Sequence, residues 1–227
     1  MTLDKTDERT ETESPMRVLL VDDHDLFRTG LRNLLEEQDL EIVGEAGTGA
    51  EAVAHVSELA PDVVVMDLNM PGMGGVEATR QISMVAPLTR VLVLTISDQD
   101  SDVMDAILAG ACGYLLKDAS ITELMKGIQA AAVGESLVSP TIAAKVLQRV
   151  RASSVSHREA ETIQSELSDR EIQVLKLIAN GKDNAMIAGE LHISPKTVKN
   201  HISNILMKLQ IDNRIQAAVY AVRSGIV

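Results

Sequence analysis

The sequence predicts an α/β domain built on a doubly wound parallel sheet, followed by a smaller all-α domain of four helices. Three observations predict it. Up to residue 138, short aliphatic runs alternate with amphipathic helical patterns, which is the pattern of successive βαβ units. Over residues 139–165 that rhythm stops in a stretch rich in charge and serine, RVRASSVSHREAETIQS. From 166 onward every segment has helical periodicity and its own helix-start residues.

The elements follow in chain order. Residues 1–15, MTLDKTDERTETESP, are polar and acidic and lack an apolar core segment. They read as a disordered acidic tail rather than a secretory signal. Strands are predicted at 17–21, 41–46, 62–66, 90–95 and 113–116, each a run of aliphatic residues suited to burial on both sheet faces. Helical patterns lie between and after them, at 26–37, 50–59, 76–85, 101–109 and 121–133. Residues 16–138 thus form the first domain, 139–165 a linker with some helical tendency, and 166–227 the second domain. There, Ser168 and Glu171 make an S-x-x-E capping box ahead of an apolar stripe that ends near Gly181. Asp183 starts a second helix that ends near Leu191. Ser194 and Pro195 supply the N-cap and first-turn proline of a third, and Asp212 is the expected cap of a fourth that runs to Ser224.

Composition narrows the function. The net charge of the 227 residues is −12, which taken alone argues against a nucleic-acid partner. The charge is uneven, however: from Gln164 onward eight Lys/Arg stand against six Asp/Glu. An acidic front and a mildly basic back imply two jobs. The single cysteine, Cys112, excludes an intramolecular disulfide and reads as a packing residue. The five histidines are scattered, without zinc-site spacing. No uncharged stretch is long enough to span a membrane. These features fit a cytoplasmic protein with no membrane partner.

Two aspartates, Asp22 and Asp23, follow the first strand directly, and Asp67 follows the third. In a doubly wound sheet of order 2-1-3-4-5 those strands are neighbours at the topological switch point, so three carboxylates converge. Such a group is unfavourable alone and suits Mg²⁺, a hard cation that takes oxygen ligands. Thr95 ends the fourth strand and Lys117 follows the fifth. A hydroxyl, an ammonium and a metal around one carboxylate suit phosphoryl transfer with Asp67 as nucleophile. The loop PGMGG after Asp67 admits close backbone approach. A Mg²⁺-dependent phosphohydrolase acting on external substrates is the competing reading. It lacks a second acid just after Asp67, where Leu68, Asn69 and Met70 stand, and no insert is long enough for a substrate-covering cap.

The third helix of the second domain has two faces. Val198, Ile202, Ile205, Leu206 and Leu209 form an apolar stripe, and Lys196, Lys199, Asn200 and Ser203 lie opposite. The short preceding helix and the tight connection at 192–194 give helix-turn-helix spacing. Spacing alone leaves both a DNA-reading helix and an ordinary solvated bundle face open. Lysine can donate to guanine and asparagine can read adenine, while Thr197 and the helix N-terminus are placed for backbone phosphate.

VLLVDDH, VVVMDLNMPGMGG, VLVLTIS and GYLLKD resemble the receiver domain of bacterial two-component response regulators. LSDREIQVLKLIANGKDNAMIAGELHISPKTVKNHISNILMKL resembles the LuxR-type helix-turn-helix. Together the chain resembles a NarL/FixJ-family response regulator. The resemblance implies a flavodoxin-like receiver of strand order 2-1-3-4-5 ahead of a four-helix DNA-binding domain. It implies that Asp67 accepts a phosphoryl group from a sensor histidine kinase. Asp23, Asp67 and the Asn69 backbone carbonyl would hold Mg²⁺, or Mn²⁺ in its place, with Asp22 acting through a metal-bound water. Lys117 would pair with the phosphoryl group, Thr95 would swing toward it and Tyr114 would follow as the coupled aromatic. Ser97 would tune dephosphorylation. On double-stranded DNA, Lys199, Asn200 and Ser203 would face bases, and Lys196, Thr197 and Lys208 phosphates. Ser203 departs from the longer basic residue common there, His192 from a common glycine, and Asp118 from a common proline. The resemblance also implies an active homodimer using Ile215, Val219 and Val222 of the last helix, RNA polymerase as a further partner, and an unphosphorylated receiver that covers the recognition helix. A constitutive dimer that binds DNA regardless of phosphate is the alternative.

Overall fold

The computed structural model describes residues 15–137, 142, 146 and 167–227. Five strands, β1 (Arg17–Val21), β2 (Glu41–Ala46), β3 (Val63–Met66), β4 (Arg90–Thr95) and β5 (Gly113–Leu116), alternate with α1 (Asp25–Glu36), α2 (Gly49–Leu59), α3 (Gly75–Val85), α4 (Asp100–Leu108) and α5 (Ile121–Ala132). Four further helices follow: α6 (Asp169–Ala179), α7 (Asn184–Leu191), α8 (Pro195–Leu209) and α9 (Arg214–Arg223). All of the expected tail but Pro15, and all of the expected linker but Ile142 and Val146, lie outside the described residues.

The sheet is parallel throughout, in the order β2-β1-β3-β4-β5. Side chains alternate across it because the strand period is two. Leu19, Val21, Val64, Met66 and Val91 pack against Ala52 and Val56 of α2 and Ala78 and Ile82 of α3. Val18, Leu20, Val63, Val65, Leu92 and Leu94 pack on the other face against Leu31 and Leu35 of α1 and Leu124 and Ile128 of α5. Each such fully buried aliphatic contributes roughly 1.5–3 kcal/mol, so the sheet is the rigid part from which the loops hang. Cys112 is buried as expected, its thiol donating to the Val91 carbonyl, and burial pushes its pKa up to about 12. β3 starts one residue later than predicted, at Val63. Asp62 turns its carboxylate onto the Arg17 N–H at 2.8 Å.

In the second domain the caps decide the boundaries. Ser168 and Glu171 form the capping box, Asp183 accepts from Met186 N–H, and Ser194 accepts from Thr197 N–H ahead of Pro195. The predicted cap of the last helix is corrected by one residue: Asn213, not Asp212, accepts the Gln216 N–H at 2.9 Å. Asp212 instead donates its backbone N–H to Gln216 Oε1. Val198, Ile202, Ile205 and Leu209 of α8 are buried with Val174, Leu175 and Ile178 of α6 and Ile187 of α7, with Leu206 at the margin. The turn between α7 and α8 passes through His192 in the left-handed region, at φ 54° and ψ 45°.

The two domains touch. Ile215 and Val219 of α9 share one buried cluster with Val103, Met104 and Ile107 of α4 and with Tyr114 of β5, joined by Ile142 and Val146. The Ile107 carbonyl at the end of α4 accepts two amide donors from the other domain, Gln216 Nε2 at 2.8 Å and Asn213 Nδ2 at 3.3 Å. Packing beside this contact is incomplete. A cavity of about 550 Å³, lined by Leu137, Val146, Ile178, Arg214, Ile215 and Val219 among others, lies along it. The side chains lining this space face water rather than protein, so this part of the contact adds little apolar burial between the domains.

Two measurements of stability check this description. His192 is exposed and strained, so His192→Gly is expected to stabilise the second domain by about 1 kcal/mol, because glycine takes positive φ without steric cost. An unchanged or lower urea midpoint would contradict it. Burial alone would raise the pKa of Glu171, but the Lys208 ammonium at 2.7 Å and the Ser168 hydrogen bonds outweigh it and hold the carboxyl below the usual range. A group with a lowered folded pKa stabilises above its unfolded pKa of about 4.3 and loses that contribution as pH falls through its folded one. Glu171→Gln is therefore expected to cost about 1–2 kcal/mol at pH 7 and much less near pH 3, read as the difference in urea midpoints.

Candidate functional site

The carboxyl edge of the sheet gathers the predicted residues. Asp22 and Asp23 leave β1, Asp67 leaves β3, Thr95 ends β4 and Lys117 follows β5. Backbone bonds set their relative heights: Asp67 N–H donates to the Val21 carbonyl at 2.8 Å and Lys117 N–H to the Thr95 carbonyl at 2.9 Å. Lys117 Nζ lies 2.7 Å from both Asp22 Oδ2 and Asp67 Oδ2. Burial works against the Lys117 charge, but hydrogen bonds to Asp22 and Asp67 outweigh it and raise its pKa. The other Asp67 oxygen accepts the Leu68 N–H at 2.7 Å and the Asn69 N–H at 3.4 Å. Asp22 and Asp67 are buried, Thr95 fully so, whereas Asn69 is exposed.

Glycine makes the Asp67 loop fit. A Cβ on Gly75 would fall 2.0 Å from the Asp67 carbonyl oxygen, and Gly72 takes φ 74°. The PGMGG sequence therefore serves the close packing of α3 on the Asp67 loop.

Asp22, Asp23, His24 and Asp67 each offer a ligand atom, all within 4.8 Å of one another. Three carboxylates with one ammonium between two of them leave an excess of negative charge, and that donor set fits a hard divalent cation. His24 is new to the site. Its Nδ1 is 2.8 Å from Asp23 Oδ1 and 3.3 Å from Asp22 Oδ1, and its ring is largely exposed. Sequence reasoning treated it as one of five scattered histidines, although its adjacency to the acid pair was in view.

Two residues of α1 were also missed. Arg28 donates to the Asp22 carbonyl at 2.5 Å, to Glu45 at 2.8 Å and to Asp25 at 2.7 Å, so it ties the loop carrying the acid pair to β2. Phe27 places its ring 4.7 Å from Lys117 Nζ. Helical spacing marks both as partly inward-facing, but only the fold puts them beside the site.

Tyr114 is fully buried, and its hydroxyl donates to the Ser97 carbonyl at 2.8 Å. Burial, then the carboxylates of Asp102, Asp98 and Asp67, push its pKa far up. Ser97 also donates its hydroxyl to Asp102 of α4, and its N–H approaches Thr95 Oγ1 at 3.4 Å. Thr95, Ser97, Tyr114 and α4 thus form one connected group, and α4 is the element that touches α9.

In the second domain Lys196, Lys199, Asn200 and Ser203 are exposed on α8, opposite its buried stripe. Thr197 sits at the helix start with its hydroxyl 2.8 Å from Ser194 Oγ. Lys208 stands apart from this set, since its ammonium is paired with Glu171 inside the bundle. The expectation that the first domain covers the recognition helix is not what the structure has. α8 keeps its polar face open, and α9 is covered instead, with Ile215, Val219 and Val222 facing the α4 cluster. Three apolar side chains on one turn-spaced stripe find a larger buried surface against α4 than the polar face of α8 offers. Among the described residues, no helix is long and apolar enough to cross a membrane.

The chain matches the response regulator receiver domain over residues 18–129 and the luxR family of bacterial regulatory proteins over residues 165–221. It is 46% identical over 213 residues to the transcriptional regulatory protein LiaR of Bacillus subtilis, covering 93% of this chain and 99% of LiaR. It is 40% identical over the same length to the response regulator VraR of Staphylococcus aureus, again covering 93% and 99%. The crystal structure of the response regulator ChrA of a heme-sensing two-component system aligns at 36% identity with a TM-score of 0.52, covering 95% of this chain and 100% of that one. The structure of RcsB dimers bound to two parallel DNAs aligns at 26% identity with a TM-score of 0.56, covering 92% and 98%. Its acid-edged parallel sheet and its capped four-helix domain, each matched by its own family, make the chain a member of the NarL/FixJ-family response regulators, in which a receiver domain is joined to a LuxR-type DNA-binding domain that regulates transcription.

Proposed function

We propose that Asp67 is the phosphoacceptor and that its phosphorylation by a sensor histidine kinase in the cytoplasm controls how this protein binds DNA. The observation that carries the reading is Lys117 Nζ seated 2.7 Å from Asp67 while Asp22 and Asp23 stand at the same edge. One Asp67 oxygen attacks the phosphorus of a phosphohistidine. The P–N bond breaks as the P–O bond forms, and the leaving imidazole takes a proton. Asp22, Asp23, Asp67 and the Asn69 carbonyl would hold Mg²⁺, or Mn²⁺, which would supply positive charge against the phosphoryl oxygens. Lys117 supplies a second positive charge from the end of β5 at the same sheet edge. Leu68 and Asn69 N–H groups fix the carboxylate plane. Thr95 turns its hydroxyl to the phosphoryl group, and Ser97, two residues on, tunes how fast it is lost.

The readout runs through α4. A moved Thr95 disturbs the Ser97–Tyr114–Asp102 group, which shifts α4 and loosens the two amide bonds on the Ile107 carbonyl. Release frees the apolar stripe of α9 to meet the same stripe in a second copy, giving a homodimer. Each copy then presents α8 to the major groove of double-stranded DNA, with Lys199, Asn200 and Ser203 toward bases and Lys196 and Thr197 toward phosphates. A module with only a small basic excess gains from doubling its phosphate contacts. RNA polymerase is the further partner through which bound dimers act.

Asp67→Asn is expected to abolish any gain in affinity for a selected DNA site on adding Mg²⁺ and beryllofluoride, measured by fluorescence anisotropy at fixed salt. An undiminished gain would overturn the phosphoacceptor assignment. Gln216→Ala removes the 2.8 Å bond to the Ile107 carbonyl. It is expected to raise DNA affinity without any phosphodonor by about fivefold, the equivalent of roughly 1 kcal/mol of closed-state stabilisation. Affinity that stays at the wild-type unphosphorylated level would show that α4–α9 docking does not restrain DNA binding.

A further inference from the structure

We propose that Phe27 is a positioning residue for the phosphoryl group, acting through Lys117; the inference rests on reading Asp67 as the phosphoacceptor. Phe27 is the only phenylalanine in the chain. It projects from α1 so that its ring centroid is 4.7 Å from Lys117 Nζ, within cation–π range. The ammonium has three N–H donors. Asp22 Oδ2 and Asp67 Oδ2, each at 2.7 Å, take two of its directions. The ring borders the ammonium as well and helps leave the Lys117 side chain only 11% exposed. Phe27 also packs against the cluster under α1 and α5.

The chemistry gives the ring a particular value. Before transfer, Lys117 is held by two carboxylates. After transfer, one Asp67 oxygen is bonded to phosphorus in an acyl phosphate, so the ammonium must exchange that partner for a phosphoryl oxygen. A flexible four-carbon side chain released from one partner can settle on Asp22 or turn to water instead. An aromatic face attracts the cation through its quadrupole and offers no lone pair that competes with the phosphoryl oxygens. It also shields the ammonium from solvent. Phe27 thereby keeps the ammonium poised over Asp67 while its anionic partner changes. An aliphatic side chain of similar size fills the same space without attracting the charge, which separates positioning from packing.

The test uses the full chain, labelled with ¹⁵N, titrated with beryllofluoride at saturating Mg²⁺ and, separately, with Mg²⁺ alone. Phe27→Leu is expected to raise the beryllofluoride concentration at half-saturation about fivefold and leave the Mg²⁺ midpoint within about twofold, because the metal is held by the acids rather than by Lys117. Phe27→Tyr, which keeps the ring face, is expected to restore beryllofluoride binding to within about twofold of wild type. Wild-type beryllofluoride affinity in Phe27→Leu overturns the inference. So does an equal loss of Mg²⁺ affinity, which would mark a packing role, and so does an equal defect in Phe27→Tyr. A wild-type chain that takes up no beryllofluoride overturns the aspartyl-phosphate reading and this inference with it.

Discussion

Crowded negative charge at the end of a buried parallel sheet is the constraint around which the rest of this protein is arranged. Three carboxylates converge where β1 and β3 end, and one ammonium, Lys117, lies between two of them. Like charges a few ångströms apart in a partly buried place repel strongly, and a single cation does not cancel them. The surroundings show how the strain is carried. Backbone N–H groups of Leu68 and Asn69 solvate Asp67, His24 N–H and its ring face the acid pair, and Arg28 holds the Asp22 carbonyl in place. What is left over is a site short of positive charge, a donor set that suits a hard divalent cation.

The same edge is mechanically tied to the second domain. Ser97 links the end of β4 to Tyr114 and to Asp102 at the start of α4, and the far end of α4 presents the Ile107 carbonyl to Asn213 and Gln216. α4 is short, so a shift at one end is felt at the other. Asn213 is both the cap of α9 and a donor across the interface. The start of that helix and its docking therefore depend on one side chain. The contact leaves the polar face of α8 open and covers the apolar stripe of α9. The weak basic excess of the module fits that arrangement, since a single copy has little electrostatic hold on DNA.

Much of the fold was legible because its signals are local. Aliphatic runs of four to six residues mark strands wherever both faces are covered, and S-x-x-E, Asp183 and Ser194–Pro195 mark helix starts through bonds spanning three residues. The errors were of the same local kind. Asp212 and Asn213 are both competent caps, and only the bond from Asp212 N–H to Gln216 decides between them. His192 shows the converse: its left-handed backbone is imposed by the turn between two packed helices and has no marker in the residue itself beyond the lack of a β-branch.

The chain by itself determined the strands, the helices, the acid residues at strand ends and the two-faced character of α8, because each depends on periodicity or on spacing within a few residues. The tertiary structure alone decided which charges meet. Lys208 carries the same side chain as Lys199, yet packing of α8 on α6 pairs it with Glu171 and withdraws it from the open face. Phe27 and Arg28 join the acid site only because α1 folds back over β1 and β2. Ile215, Val219 and Val222 form an apolar stripe in any reading, but a stripe is silent about its partner. Apolar attraction has no direction, so the nearest complementary surface wins, and here that surface is α4 of the receiver.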